Sequence, residues 1–164
     1  KGVVSLSIQA VKAYLAAFHA EDRVMEFSVS SATVALADLA LGTEEARIAK
    51  TLSFEEGEGC ILIVCAGDAK IDNRKYKGFF GKKAKMLAPD RALELTGHAV
   101  GGVCPFALPL GVPVYLDESL KRFDIVYPAA GTASSAVRLS PEELFEFSKA
   151  LQWVDVCKLP EVEA

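Results

Sequence analysis

One lysine shares a strand face with apolar side chains and is the first candidate for chemistry in this sequence. In the segment 48–54, the two-residue alternation of a strand places Lys50 on the same side as Ile48, Leu52 and Phe54. A partly desolvated ammonium group can hold a carbonyl, carboxylate or phosphate oxygen. The commoner alternative is a surface lysine whose stem covers apolar groups while its charge stays in water.

A second candidate is the glycine loop, which we define as residues 97–106. It contains Gly101 and Gly102 followed by Pro105, so the chain turns tightly and then takes a fixed direction. Such a loop can present backbone N–H groups to an oxygen atom with no side chain in between. The spacing matches neither a Walker loop nor a dinucleotide-binding motif, and most stretches of this kind are only tight turns.

Cysteine and histidine chemistry gives a third, weaker candidate. Cys104 and His98 lie in the glycine loop and could form a thiolate nucleophile with its base, but nothing in the sequence places the two side chains together. Cys60 and Cys65 point to opposite faces of one apolar strand, and the chain has only two histidines. The sequence therefore predicts buried free thiols in a reducing compartment, with no metal site and no cofactor.

The charge distribution predicts a surface for nucleic acid. Residues 70–85, the basic cluster, have seven basic side chains and one acidic one, a net charge of +6, whereas the rest of the chain has 11 basic and 21 acidic residues, a net charge of −10. A solvated helix face is the usual explanation of such a run. This one could also dock a phosphate backbone, with Tyr76, Phe79 and Phe80 available for stacking. Its basic members are Lys70, Arg74, Lys75, Lys77, Lys82, Lys83 and Lys85.

Alternating hydrophobic patterns and turn residues define the elements that would position these groups. The expected helices are 5–20, one that starts at Ser31 or Thr33 and ends before Gly42, a short one after Thr43, 73–81, 89–96 and 140–151. The expected strands are 24–29, 48–54, a fully buried central strand 60–66 after a hairpin turn, 85–88, 114–116, 125–127, 136–139 and 154–156. This irregular order predicts an α+β fold with a mixed sheet and outer helices rather than a doubly wound parallel sheet.

Length and composition predict a single domain over residues 1–164. The chain is 51% apolar and 24% charged, as in an ordinary globular protein, and its net charge of −4 excludes general attraction to nucleic acid. Its longest uncharged stretch, 99–116, is interrupted by glycines and prolines and is not a membrane helix. We therefore expect a cytoplasmic protein with neither a membrane nor DNA as partner.

Five segments, in this order and spacing, together resemble the YbaK and prolyl-tRNA synthetase associated editing-domain family. The resemblance covers about residues 28–156. The segments are 47–54, 66–75, 95–106, 113–120 and 130–144. The resemblance implies a curved, nearly barrel-like mixed sheet surrounded by helices. It also implies a freestanding, metal-independent deacylase of wrongly charged aminoacyl-tRNA, often tRNA(Pro) with a smaller amino acid such as Cys or Ala, and association with prolyl-tRNA synthetase.

The same resemblance implies roles for individual residues. The family's lysine before Thr-Leu falls on Lys50 with Thr51 after it, and its glycine and proline loop falls on Gly101, Gly102, Val103 and Pro105. Ser31 and Thr33 fall at the pocket rim, and Gly131 falls in the loop that closes the pocket. After Gly131 this chain has Thr-Ala-Ser-Ser-Ala in place of the basic, Gly-rich stretch with an aspartate found in some members.

An aminoacyl ester is already activated, so the reaction implied by the resemblance requires no protein nucleophile. Lys50, Gly101 and Gly102 would hold the carbonyl and stabilise an oxyanion, while Thr51, Val103 and Pro105 would contact the substrate. Water, the ribose hydroxyl or a cysteinyl substrate's own thiol could attack. The alternatives are a non-catalytic tRNA- or nucleotide-binding module of the same fold and a general esterase.

Overall fold

A computed structural model of the chain describes residues 2–27 and 42–161. The predicted helix that would begin at Ser31 or Thr33 lies outside these residues, as do both side chains. These ranges contain four α-helices: α1 Gly2–Ala16, α2 Asn73–Phe80, α3 Pro89–Thr96 and α4 Pro141–Phe147. The same ranges contain eight strands: β1 Val24–Glu26, β2 Lys50–Glu56, β3 Gly59–Cys65, β4 Lys70–Ile71, β5 Val114–Asp117, β6 Ser135–Val137, β7 Gln152–Val154 and β8 Cys157–Lys158.

The main sheet is mixed, as the sequence predicts. Its strand order is β2-β3-β5-β7, with β3 antiparallel to β2 and parallel to β5, and β5 parallel to β7. Two short antiparallel ladders, β1-β6 and β4-β8, lie outside this sheet. Within residues 2–27 and 42–161 the strands do not close into a barrel.

The core forms around β3, which lies inside the sheet. Leu62, Ile63 and Val64 have no exposed surface, because strands flank β3 on both sides and other elements cover both faces. Helix α1 adds Val11 and Leu15, both fully buried, to the same core. None of the helices in the described ranges has the length and hydrophobicity that crossing a bilayer requires.

Local sequence signals correctly predicted where three of the helices begin or end. Gly81 and Gly97 end α2 and α3 in the left-handed conformation, which glycine adopts without a Cβ penalty. Ser140 begins α4: its hydroxyl accepts from the Glu143 N–H, while the Glu143 carboxylate accepts from the Ser140 N–H.

Other predicted elements were wrong in extent. Segments 85–88 and 125–127 form only single bridges, Phe54 with Met86 and Val126 with Leu139, rather than strands. Helix α1 ends at Ala16, and α4 ends at Phe147, since His19 and Lys149 adopt left-handed backbone angles, with φ of 58° and 56°. The last predicted strand lies two residues earlier, at Gln152–Val154, and the β4-β8 ladder was not foreseen.

Candidate functional site

A cavity of about 390 Å³ opens along the outer edge of β2. Its other walls come from segment 86–92, from the glycine loop and from the closing loop, which we define as residues 129–135. Lys50, Thr51, Gly101 and Val103 all line it, so the structure brings together two segments about fifty residues apart in sequence. A volume of several hundred Å³ is typical of a small-molecule site.

Lys50 begins β2 and is half-buried at the cavity wall. Its ammonium group forms neither a hydrogen bond nor an ion pair with any residue in the described part of the chain, and its backbone pairs with Cys65 of β3. The nearby carboxylate of Asp68 is held elsewhere, by Nη2 and Nη1 of Arg122 at 2.6 and 3.1 Å. The Arg122 guanidinium lowers the pKa of Asp68, and the charge of Lys50 contributes weakly in the same direction.

The edge of β2 has a gap in its hydrogen bonding at Thr51. On the side away from β3, the Ala49 N–H donates to the Tyr127 carbonyl at 3.1 Å, and the Ser53 carbonyl accepts from the Leu87 N–H at 3.1 Å. Strand alternation points the Thr51 N–H and C=O to this same side, where no described backbone group meets them. The buried Thr51 hydroxyl oxygen also has no described partner. The cavity therefore has one backbone donor and one backbone acceptor side by side.

The two glycines of the loop have different structural roles. Gly101 lines the cavity with a φ of 93°, a conformation that favours glycine. Gly102 lies against the closing loop instead, where a Cβ would overlap the Gly131 carbonyl. The Gly102 N–H donates to the Ala99 carbonyl at 2.9 Å and is not free for a ligand, whereas among described groups the N–H groups of Gly101 and Val103 have no partner.

The structure places Pro105 and Gly131 behind the cavity wall rather than on it. Pro105 is buried, and Gly131, with a φ of 98°, contacts Ser7 of α1. Sequence reasoning missed the residues of the closing loop that do line the cavity, including Thr132 and Ser135. The Ser135 hydroxyl accepts from the Thr132 hydroxyl at 2.8 Å and donates to the Thr132 carbonyl at 3.1 Å, which fixes the loop. The serines that follow the Gly-Thr turn at positions 131–132 were the sequence signal that could have identified this loop as part of the site.

The structure does place His98 and Cys104 together, with Nε2 and Sγ 3.5 Å apart and both side chains buried. His98 Nε2 also lies 2.8 Å from the Phe106 carbonyl, which can only accept, so Nε2 carries the ring proton and cannot take one from the thiol. Burial lowers the pKa of His98 and raises the pKa of Cys104 to about 12. A neutral thiol beside a protonated ring nitrogen is a packing arrangement rather than a nucleophile and its base.

The basic cluster lies outside the cavity. All seven basic residues are exposed, and Lys85 precedes Met86, which lines the cavity. Asp72 caps α2 by accepting from the N–H groups of Arg74 and Lys75. Three lysines form ion pairs, Lys75 with Asp155, Lys82 with Glu56 and Lys85 with Glu55. Within the described residues, Lys70, Arg74, Lys77 and Lys83 form none.

One aromatic residue of this cluster is not available for stacking. Tyr76 is fully buried against Phe54, so the prediction that it could stack on a base is wrong. Tyr76 packs between Phe54 and Phe80, with ring centroids 5.1 and 4.6 Å away, and these neighbours cover its ring. Phe79 is 46% exposed and remains the candidate.

Comparison with known proteins gives one consistent family. The family model described as "Aminoacyl-tRNA editing domain" matches residues 29–147. The uncharacterized protein YwhH of Bacillus subtilis (strain 168) is 53% identical over 154 residues, which cover 93% of this chain and 98% of that protein. Proline–tRNA ligase of Lysinibacillus sphaericus (strain C3-41) is 30% identical over 82 residues, 49% of this chain and 14% of the ligase.

A solved structure agrees with these sequence matches. A crystal structure described as "a putative trans-editing enzyme for prolyl tRNA synthetase" superposes with a TM-score of 0.84 at 32% identity. The match covers 93% of this chain and 97% of the other. The two proteins therefore share the fold and about a third of their residues across nearly the whole length.

Proposed function

Because the chain belongs to the aminoacyl-tRNA editing domain family, we propose that it is a freestanding deacylase that hydrolyses the ester bond of mischarged tRNA. The observation that carries this is one cavity lined by Lys50, by the edge of β2 at Thr51 and by Gly101 and Val103, whose polar groups named above have no partners among the described residues. Near full-length matches to YwhH and to the solved neighbour support an independent, single-domain protein.

Hydrolysis requires a nucleophile to add to the ester carbonyl and the ribose oxygen to leave. Water adds to the ester carbonyl carbon, the carbonyl oxygen becomes an oxyanion, and the bond to the ribose oxygen then breaks. The products are the free amino acid and a tRNA whose terminal ribose hydroxyl has regained a proton. For a cysteinyl substrate, its own thiol could attack in place of water, giving a cyclic thioester that water then opens to free cysteine. Attack by the neighbouring ribose hydroxyl would only move the acyl group from one ribose oxygen to the other, so water would still have to complete the hydrolysis.

Lys50 and the glycine loop supply the charge stabilisation in this proposal. The Lys50 ammonium and the N–H groups of Gly101 and Val103 would face the oxygen on which negative charge develops. Gly102 would act by allowing the two loops to touch, since its own N–H is already used. The Thr51 backbone edge would bind the amino acid part of the substrate.

Selection would depend on size. Apolar walls from Ala129, Val103 and neighbouring residues leave room for a small aminoacyl group and part of its ribose, and contacts of this kind distinguish one methylene by only about 1–3 kcal/mol. Steric exclusion of the larger, correct amino acid therefore distinguishes the substrates better than attractive contacts to the smaller one. The matches to proline–tRNA ligase and to the solved neighbour support tRNA(Pro) as the tRNA and prolyl-tRNA synthetase as partner. The small amino acid that we propose it bears is Cys or Ala.

The exposed basic cluster would hold the acceptor end of the tRNA. Lys85 leads directly into the cavity wall at Met86, so phosphates bound along the cluster would continue towards the cavity. Lys70, Arg74, Lys77 and Lys83 would contribute most, because Lys75, Lys82 and Lys85 have acidic partners.

A panel of charged tRNAs tests the proposal. The purified protein is incubated with Ala-, Cys- and Pro-tRNA(Pro) and with Ala-tRNA(Ala), and the remaining ester is measured over time. We expect loss of Ala or Cys from tRNA(Pro) and persistence of Pro-tRNA(Pro). Binding to all four with no loss of ester would instead indicate a tRNA-binding module, and hydrolysis of simple amino acid esters at comparable rates would indicate a general esterase.

A further inference from the structure

His98 is buried at the first turn of the glycine loop and contacts two separate parts of the molecule. Its Nδ1 lies 2.7 Å from the Ser7 hydroxyl of α1, and its Nε2 lies 2.8 Å from the Phe106 carbonyl at the other end of the same loop. Since Nε2 donates to a carbonyl, Nδ1 must accept, and the Ser7 O–H is the donor. One ring thus joins both ends of the loop to each other and to α1.

Ser7 also supports the closing loop. The Gly131 Cα lies so near Ser7 that a Cβ there would come within 2.8 Å of the Ser7 hydroxyl oxygen and 3.0 Å of its carbonyl oxygen. Gly131 in turn contacts Gly102 through its carbonyl group. Ser7, Gly131 and Gly102 therefore form one continuous stack behind the cavity wall, with His98 beside it.

We propose that His98 is a positioning residue, which together with Ser7 holds the glycine loop in the shape that puts Gly101 and Val103 on the cavity wall. Ser7 precedes residue 29, where the match to the editing-domain model begins, so this support comes from a part of the chain that the family model does not include. Helix α1 then fixes the geometry of the site in addition to covering the core.

Variants that remove one hydrogen bond of His98 and keep the other can distinguish this positioning role from a general contribution to stability. Removing the Ser7 hydroxyl breaks the bond to Nδ1 and leaves the Phe106 bond intact. His98→Gln removes the same bond from the other partner. A glutamine amide can still donate to the Phe106 carbonyl from the position of Nε2, but it has no acceptor where Nδ1 was. Both variants remove the same bond, so their effects should not add in the double variant.

The test measures amide hydrogen exchange in the glycine loop together with steady-state hydrolysis of mischarged tRNA. Ser7→Ala and His98→Gln should each speed exchange at Gly102, whose N–H is bonded to the Ala99 carbonyl, and lower kcat about 3- to 10-fold with KM nearly unchanged, the effect of one neutral hydrogen bond. The double variant should match either single variant. Ser148→Ala, which removes a buried hydroxyl bonded to the Phe145 carbonyl in α4, is the matched control and should leave both measurements unchanged.

The kinetic effect rests on the proposed function, whereas the exchange effect does not. If the wild-type protein hydrolyses no charged tRNA, the proposed function fails, and faster exchange in Ser7→Ala still supports the positioning role. Unchanged exchange at Gly102 in both variants, or additive losses of kcat in the double variant, would overturn it.

Discussion

The Gly131 carbonyl lies directly against the Gly102 Cα, so the two loops that border the cavity touch with no side chain between them. No larger residue fits at position 102 without moving one loop away from the other. The width of the cavity between Val103 and the closing loop is consequently set by a backbone contact.

Gly102→Ala should damage both stability and activity. The added methyl group meets backbone atoms of Gly131 and Thr132, which cannot rotate aside as a flexible side chain could. We expect a loss of about 1–3 kcal/mol in the free energy of unfolding, the usual cost of overpacking, and a larger fractional loss of deacylation. Chemical denaturation and initial rates measure the two effects.

Gly78→Ala is the control for that substitution. Gly78 lies in α2, and nothing comes within 4 Å of a Cβ placed there, so alanine should leave the stability equal or raise it by up to about 1 kcal/mol. Equal unfolding free energies for the wild type and Gly102→Ala would show that the loops can separate freely.

Much of this architecture could be predicted from the sequence because the signals were local. Glycine ended α2 and α3, the Ser140 capping box began α4, and the uninterrupted apolar run of β3 indicated its central position. The pairing of Lys50 with the glycine loop in one cavity depended on a family resemblance rather than on periodicity.

The features that could not be predicted depend on contacts between distant segments. The His98 bond to Ser7 joins positions 91 residues apart, and the gap at Thr51 exists only because two unrelated segments pair on either side of it. Ion pairs of Lys82 and Lys85 with the end of β2 were hidden for the same reason. Local patterns contain no information on such pairings.

Hydrolysis should not depend on a metal ion or on a cysteine. Among residues 2–27 and 42–161, no three His, Cys, Asp or Glu side chains converge into a possible metal site, and burial raises the pKa of Cys104 to about 12. We expect an unchanged rate after treatment with a strong chelator, and a rate of the same order for Cys104→Ser. A rate that falls with chelator and returns with added Zn²⁺ would contradict the first expectation, and an inactive but folded Cys104→Ser would contradict the second.

The basic cluster should determine affinity rather than chemistry. Replacing Arg74, Lys77 and Lys83 with Ala should raise KM for charged tRNA and leave kcat nearly unchanged, because these residues do not line the cavity. The slope of log affinity against log salt should fall by about 0.7–0.9 for each phosphate that is no longer neutralised. A triple variant of Lys75, Lys82 and Lys85, which already have acidic partners, is the comparison and should weaken binding less. Identical KM and salt slope in both triple variants and the wild type would identify the cluster as a solvated face.

The most direct test of the central claim is single-turnover hydrolysis of mischarged tRNA(Pro) by Lys50→Ala. Lys12→Ala is the matched control, because Lys12 is an exposed lysine whose partner is Glu26 and whose loss costs little. We predict a rate about 10²- to 10³-fold below that of the wild type for Lys50→Ala, with an unchanged melting temperature, and a wild-type rate for Lys12→Ala. A folded Lys50→Ala that hydrolyses the ester at the wild-type rate would contradict the assignment of this cavity as the catalytic site.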